Sequence, residues 1–169
     1  MEDRQQWLSI AAVVLVIGGL GYFLYQRSRQ AEPTNNNLSE GVQIDQKANQ
    51  MLDNMNIDVP EGVDRANLKD VTGGDGTGVA TREMVNGKFV HSVIAALPDP
   101  TPGTFYEGWL INPDTGDTIS TGRFRIAKGG FILDFTSSKD LTDHKQVLVT
   151  LEKVDDNNPE THMLEGSFK

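Results

Sequence analysis

Residues 78–97 read GVATREMVNGKFVHSVIAAL, and this stretch decides the fold class. Asn86-Gly87 stands between two runs, Gly78–Val85 and Lys88–Leu97, that are rich in β-branched residues. Asn-Gly is the dipeptide that a type I′ turn demands, so the stretch is expected to be an antiparallel hairpin. Working outward, the same grammar recurs about every ten residues. Phe105–Asn112, Thr118–Ala127, Gly130–Thr136, Gln146–Val154 and Met163–Phe168 are further strand candidates. Turn chemistry separates them, as in Asn112-Pro113-Asp114-Thr115-Gly116-Asp117 and Lys128-Gly129-Gly130. Phe131, Leu133 and Phe135 share one face by period-two alternation, as do Val147, Val149 and Leu151. Asp134, Thr150 and Glu152 fall on the opposite faces and are expected to meet solvent. The reading is an all-β domain over residues 66–169, an antiparallel β-sandwich of about seven strands.

Residues 26–65 are polar and carry AEPTNNN near their start, as an extended linker would. Within them Val42, Ile44, Ala48, Met51, Leu52 and Met55 approximate helical spacing, so a short amphipathic helix over about 40–56 is expected. Residues 7–25, WLSIAAVVLVIGGLGYFLY, hold no charged side chain. As a helix these residues would reach about 28 Å, close to the hydrocarbon thickness of a bilayer. Trp7 lies at one end and Tyr22 and Tyr25 at the other, the positions that suit interfacial aromatics. The run ends in bulky residues with no small-residue cleavage site. One transmembrane helix from Trp7 to Tyr25, with the lipid bilayer as its partner, is therefore expected behind a tail of residues 1–6. Arg4 against Arg27 and Arg29 gives too small a bias to set the orientation.

Composition excludes more than it assigns. The formal net charge is −9 and the Lys and Arg residues form no cluster, so nucleic acid is not an expected partner. The chain has no cysteine, which removes disulfides, thiolate nucleophiles and Cys-ligated metals. His91, His144 and His162 lie on separate segments without ligand spacing, and no metal or cofactor site is expected. Asn112, Asp114 and Asp117 could offer oxygens to calcium, but such residues are ordinary turn formers. Gly73-Gly74-Asp75-Gly76-Thr77-Gly78 suggests a phosphate loop, yet it lacks the Lys-Ser/Thr ending and a following helix. No nucleophile elbow is present, and no carboxylate pair stands out as catalytic. Tyr106 and Trp109, three apart on one strand candidate, should point to opposite faces. They are the candidate ligand-contacting or structural aromatics, with core packing the expected role of the tryptophan.

Ala96-Leu97-Pro98-Asp99 followed by Phe105-Tyr106-Glu107-Gly108-Trp109-Leu110 resembles the C-terminal domain of anti-sigma-K factors of the RskA type. The likeness continues through Gly116, Ser120-Thr121-Gly122 and the strand Val147-Leu148-Val149-Thr150-Leu151-Glu152. It covers roughly residues 66–168. The resemblance implies an extracytoplasmic domain tethered to the cytoplasmic membrane by one helix. Such factors place a sigma-binding domain ahead of that helix, where only Met1 to Gln6 stand here. The expectation is thus a non-enzymatic sensing or interaction module that contacts an envelope protein, a peptide or a glycan through a sheet face or the loops around Pro98–Thr104. The alternatives are a regulator of a sigma factor acting through a partner membrane protein and an anchored hydrolase.

Overall fold

The computed structural model describes residues 36–169. The expected membrane helix at Trp7–Tyr25 lies outside the described residues. Residues Glu40–Lys169 form one compact unit. A helix, α1 (Asn36–Asn54), precedes nine strands: β1 (Asp64–Asp70), β2 (Thr77–Val85), β3 (Lys88–Ala96), β4 (Phe105–Ile111), β5 (Thr118–Arg123), β6 (Arg125–Ala127), β7 (Gly130–Ser137), β8 (Gln146–Glu152) and β9 (Thr161–Ser167).

All nine strands join one antiparallel sheet in the order β5-β4-β8-β9-β1-β2-β3-β7-β6. The expected two-layer sandwich of about seven strands is corrected on this point, since the sheet is single and curls until its two ends approach each other. Period-two patterning cannot separate these cases, because a curled sheet and a sandwich both bury one face of each strand. Two local features produce the difference. The strand β1, not anticipated from the sequence, pairs with β2 along its length and with β9 through Lys69 and Asp70, making the two halves continuous. Its sequence DRANLKD offers only Ala66 and Leu68 to the interior, so it reads as polar linker.

The second feature is the seam. The single run expected over Thr118–Ala127 is broken at Phe124. Gly122, at φ 102°, admits a backbone turn closed to other residues, after which the chain leaves β4 and pairs with β7. The Phe124 N–H donates to the Tyr106 carbonyl at 2.9 Å, stitching β4 to the crossing segment. Across the interior the Tyr106 ring meets Phe131 of β7 edge-on, with centroids 5.0 Å apart.

The β2–β3 turn is as the dipeptide requires: Asn86 and Gly87 take φ of 51° and 76°, the positive values of a type I′ turn. The principal core fills the curl with Leu68, Phe89, Val93, Leu110, Leu133, Val147, Val149 and Leu164 among others. A smaller core lies on the outer surface. There Ala48, Met51 and Leu52 of α1, and Met55 in the turn just after it, pack against Val79 of β2, with Ile57, Val59, Ile94 and Ala96 alongside. Those four side chains recur at helical spacing, so one stripe of α1 is buried and the rest is solvated. The same helix is also held by polar contacts along its length: Lys69 to Glu40 at 3.2 Å, Lys47 to Asp75 at 3.4 Å, and Arg65 to Asn49 at 2.9 Å.

Candidate functional site

Strands β4 and β8 carry the side chains of interest, and their register brings them together. Glu107 stands opposite Thr150, Trp109 opposite Leu148, and Phe105 opposite Glu152. Directly opposed residues share a face, so Phe105, Glu107, Trp109, Leu148, Thr150 and Glu152 line one side of the pair. Tyr106, Leu110, Val147 and Val149 line the other, inside the curl.

Tyr106 and Trp109 therefore point to opposite faces, and both are buried, at 3% and 1% exposure. The Tyr106 hydroxyl donates to the Pro98 carbonyl at 2.9 Å, fixing the β3–β4 loop against the barrel. Burial, with the charges of Asp99 and Asp70, pushes that hydroxyl above its usual pKa, so it stays a donor. Trp109 Nε1 donates to Thr150 Oγ1 at 2.7 Å. In turn the Thr150 hydroxyl reaches the Glu107 carbonyl at 3.4 Å. The polar handles of both rings are thus occupied by protein groups.

Thr150 and Glu152 depart from expectation. Both have no exposed surface, although alternation placed them on the solvent side of their strand. Glu107 is buried beside them at 3% exposure. One oxygen of each glutamate is satisfied: the Ser120 hydroxyl donates to Glu107, and the Glu160 N–H donates to Glu152 at 2.9 Å. The Oε2 atoms of both carboxyls are buried without a hydrogen-bond partner. Burial pushes the Glu107 pKa up; the Ser120 bond and the Arg123 charge oppose this, and the nearby Asp155 and Glu152 charges reinforce it. Sequence reading passed over the pair because their proximity depends on register between strands some forty residues apart. The signal open to it was an acid on the buried-tryptophan face of each motif strand.

The other candidate residues are used structurally. His91, buried, donates from Nδ1 to the Thr81 carbonyl at 2.9 Å. His144 lies with Nδ1 2.7 Å from Asp143 and Nε2 3.2 Å from Asp117, bridging the β4–β5 turn and the loop before β8. His162 sits on the surface against Glu165 at 2.7 Å. Among the described residues no group of three or more His, Cys, Asp or Glu side chains is arranged to hold a metal ion. The Asn112 side-chain oxygen accepts from the Asp114 and Thr115 amides at 2.9 and 3.2 Å, an Asx turn.

The glycine-rich loop does fold as an anion nest, but its anion is internal. Amides of Thr72, Gly74 and Gly76 and the Thr72 hydroxyl all donate to the Asp70 carboxylate at 2.7–3.0 Å. Burial of Asp70 opposes its charge, yet these hydrogen bonds together outweigh it and hold the carboxyl below the usual range. The donors that a phosphate would need are already taken.

A groove of about 350 Å³ crosses the outer surface, lined by Lys69, Ile111, Leu148, His162, Glu165 and Gly166.

Comparison with known proteins bears on this architecture. The chain matches no curated protein and no solved structure. The family model described as "Anti-sigma-K factor rskA, C-terminal" matches residues 7–163, which takes in β1 to β9 up to Met163 and all of the paired β4 and β8 strands. The chain belongs to the family of the anti-sigma-K factor rskA C-terminal domain.

Proposed function

We propose that the protein is a membrane-anchored module whose β domain stands outside the cytoplasmic membrane and binds another protein, without catalysis of its own. The observation that carries this reading is the uncharged run Trp7–Tyr25 inside the same family match as the β domain. A run of that length without charge is far more stable in hydrocarbon than in water. Interaction with proteins is what an anti-sigma-factor domain is for. The polar atoms of Tyr106 and Trp109 are engaged internally, which favours a scaffolding role for these aromatics over ligand contact. Binding then falls to the loops around Pro98–Thr104 or to an outer sheet surface. Anchoring adds local concentration, so individually weak contacts suffice.

A second reading within the same family is regulation of a sigma factor through a partner membrane protein. Co-purification of the chain with such a partner from solubilised membranes would favour it. Anchoring is tested by alkaline carbonate extraction of membranes carrying the full chain. Retention in the pellet is expected; release into the supernatant would end the anchored reading.

A further inference from the structure

Glu107 and Glu152 pose an electrostatic problem that the one nearby counter-charge, Arg123, offsets only in part. They occupy diagonal positions on β4 and β8, on the face shared with Trp109 and Thr150. Their exposures are 3% and 0%, and each keeps one carboxyl oxygen without a partner.

The charged groups around them come from three elements. From β5, Arg123 stands in register with Glu107. Its guanidinium bonds Asp155 at 2.8 Å and lies 3.6 Å over the Phe105 ring, and its charge opposes the upward push on Glu107 without cancelling it. From the β8–β9 loop come Asp155 and Glu160. The Glu160 carboxylate turns away to accept the Lys153 and Val154 amides at 2.9 and 3.3 Å, while its own N–H caps Glu152. From β8 itself comes Glu152. The charges of Asp155 and Glu152 thus act on Glu107 against one arginine, and a buried ionised carboxylate with an unsatisfied oxygen is costly.

Protonation relieves both faults in one step. It removes a charge and converts an orphan acceptor into an O–H donor. Glu107 is the better site, since its Ser120 partner can rotate to accept as readily as to donate. Glu152 is committed as an acceptor by a backbone N–H.

We propose that Glu107 is a proton-binding site: the folded domain holds it as the neutral acid to higher pH than an exposed glutamate would be, and its ionisation loosens the corner where β4, β5 and the β8–β9 loop meet. The Arg123–Asp155 clip and the Glu160 cap belong to that corner, so the proton couples to the order of an exposed loop. Direction follows from linkage. A carboxyl whose folded pKa lies above its unfolded value lends stability that is present below the ordinary glutamate range and lost as pH rises through the folded value.

The test uses the full-length chain in detergent micelles, uniformly labelled with ¹³C at glutamate. The Glu107 carboxyl resonance is assigned with Glu107→Gln and followed against pH, and thermal melting is followed over roughly pH 5 to pH 8. The resonance is expected to titrate above the ordinary glutamate value of about 4.3. The wild-type melting temperature is expected to fall relative to Glu107→Gln by about 5 °C as pH rises. Glu152→Gln, which removes the neighbouring charge, is expected to move the Glu107 titration downward and keeps the test usable should Glu107→Gln fail to fold. Superimposable pH profiles of wild type and Glu107→Gln, or ordinary titration of Glu107, would overturn the proposal. So would calcium chloride restoring the wild-type melting temperature at high pH while leaving Glu107→Gln unmoved, since the occupant would then be a metal cation.

Discussion

Trp109 Nε1 and Thr150 Oγ1, 2.7 Å apart on neighbouring strands, join β4 and β8 through buried side chains. The bond satisfies the only polar atom of the largest fully buried side chain in the domain. Replacing Trp109 by Ala is expected to cost about 3–5 kcal/mol of stability. Thr150→Val, which keeps the shape but strands the indole N–H, is expected to cost about 1–3 kcal/mol. Chemical denaturation reads both. Melting unchanged in Trp109→Ala, with binding to a partner lost, would reassign the ring to ligand contact.

The two ends of α1 are held by different forces and should respond differently. Leu52 is buried against the outer face of the sheet, whereas the Glu40–Lys69 pair is solvated at 3.2 Å. Leu52→Ala is expected to cost about 2–5 kcal/mol. Glu40→Gln is expected to change stability by about 0.5 kcal/mol or less. Hydrogen exchange should show the same gradient, with amides near Leu52 protected more than those near Gly41. Equal protection along the helix would contradict it.

Gly130 marks where the turn after α1 meets the sheet. A Cβ there would collide with Met55 Cε and would lie 2.8 Å from the Ala95 carbonyl oxygen. The methionine tip can swing aside, but the carbonyl belongs to the β3–β7 ladder and cannot. Gly130→Ala is therefore expected to destabilise by about 1–3 kcal/mol. Adding Met55→Ala should fail to restore the loss, which denaturation of the double variant would check.

His91 gives the domain an acid-sensitive interior. Burial pushes its pKa down to about 4; the bond to the Thr81 carbonyl opposes this and the Arg82 charge adds to it. The unfolded chain takes up this proton near pH 6.5 and the folded chain only near 4. Stability is thus lost as pH falls from about 6.5 to about 4, by something on the order of 3 kcal/mol. His91→Phe is expected to flatten this part of the stability profile. An imidazole resonance of His91 titrating at the ordinary histidine value would contradict it.

Much of the fold was legible because local chemistry dictated it. Asn86-Gly87 had one good use, and Phe131, Leu133 and Phe135 alternate as only a half-buried strand does. The single curled sheet was not legible, for reasons that lie in two short segments. Leu68 and Ala66 are outnumbered by polar neighbours in β1, and nothing in Thr118–Ala127 announces that the chain changes partner at Phe124. The site was legible as residues but not as an arrangement. Tyr106 and Trp109 declared themselves by size, whereas Glu107, Thr150 and Glu152 acquire meaning only from the β4–β8 register. Asp70 belongs to the same class, since its role emerges when the loop after it closes on its carboxylate.

The most direct test of the anchored, exported module is protease accessibility of the β domain in intact cells or spheroplasts producing the full chain. Digestion by added protease before lysis, with a cytoplasmic marker intact, is the expected result. It would direct the search for partners to the envelope. Protection of the domain until the membrane is broken would place it on the cytoplasmic side and contradict the proposed function.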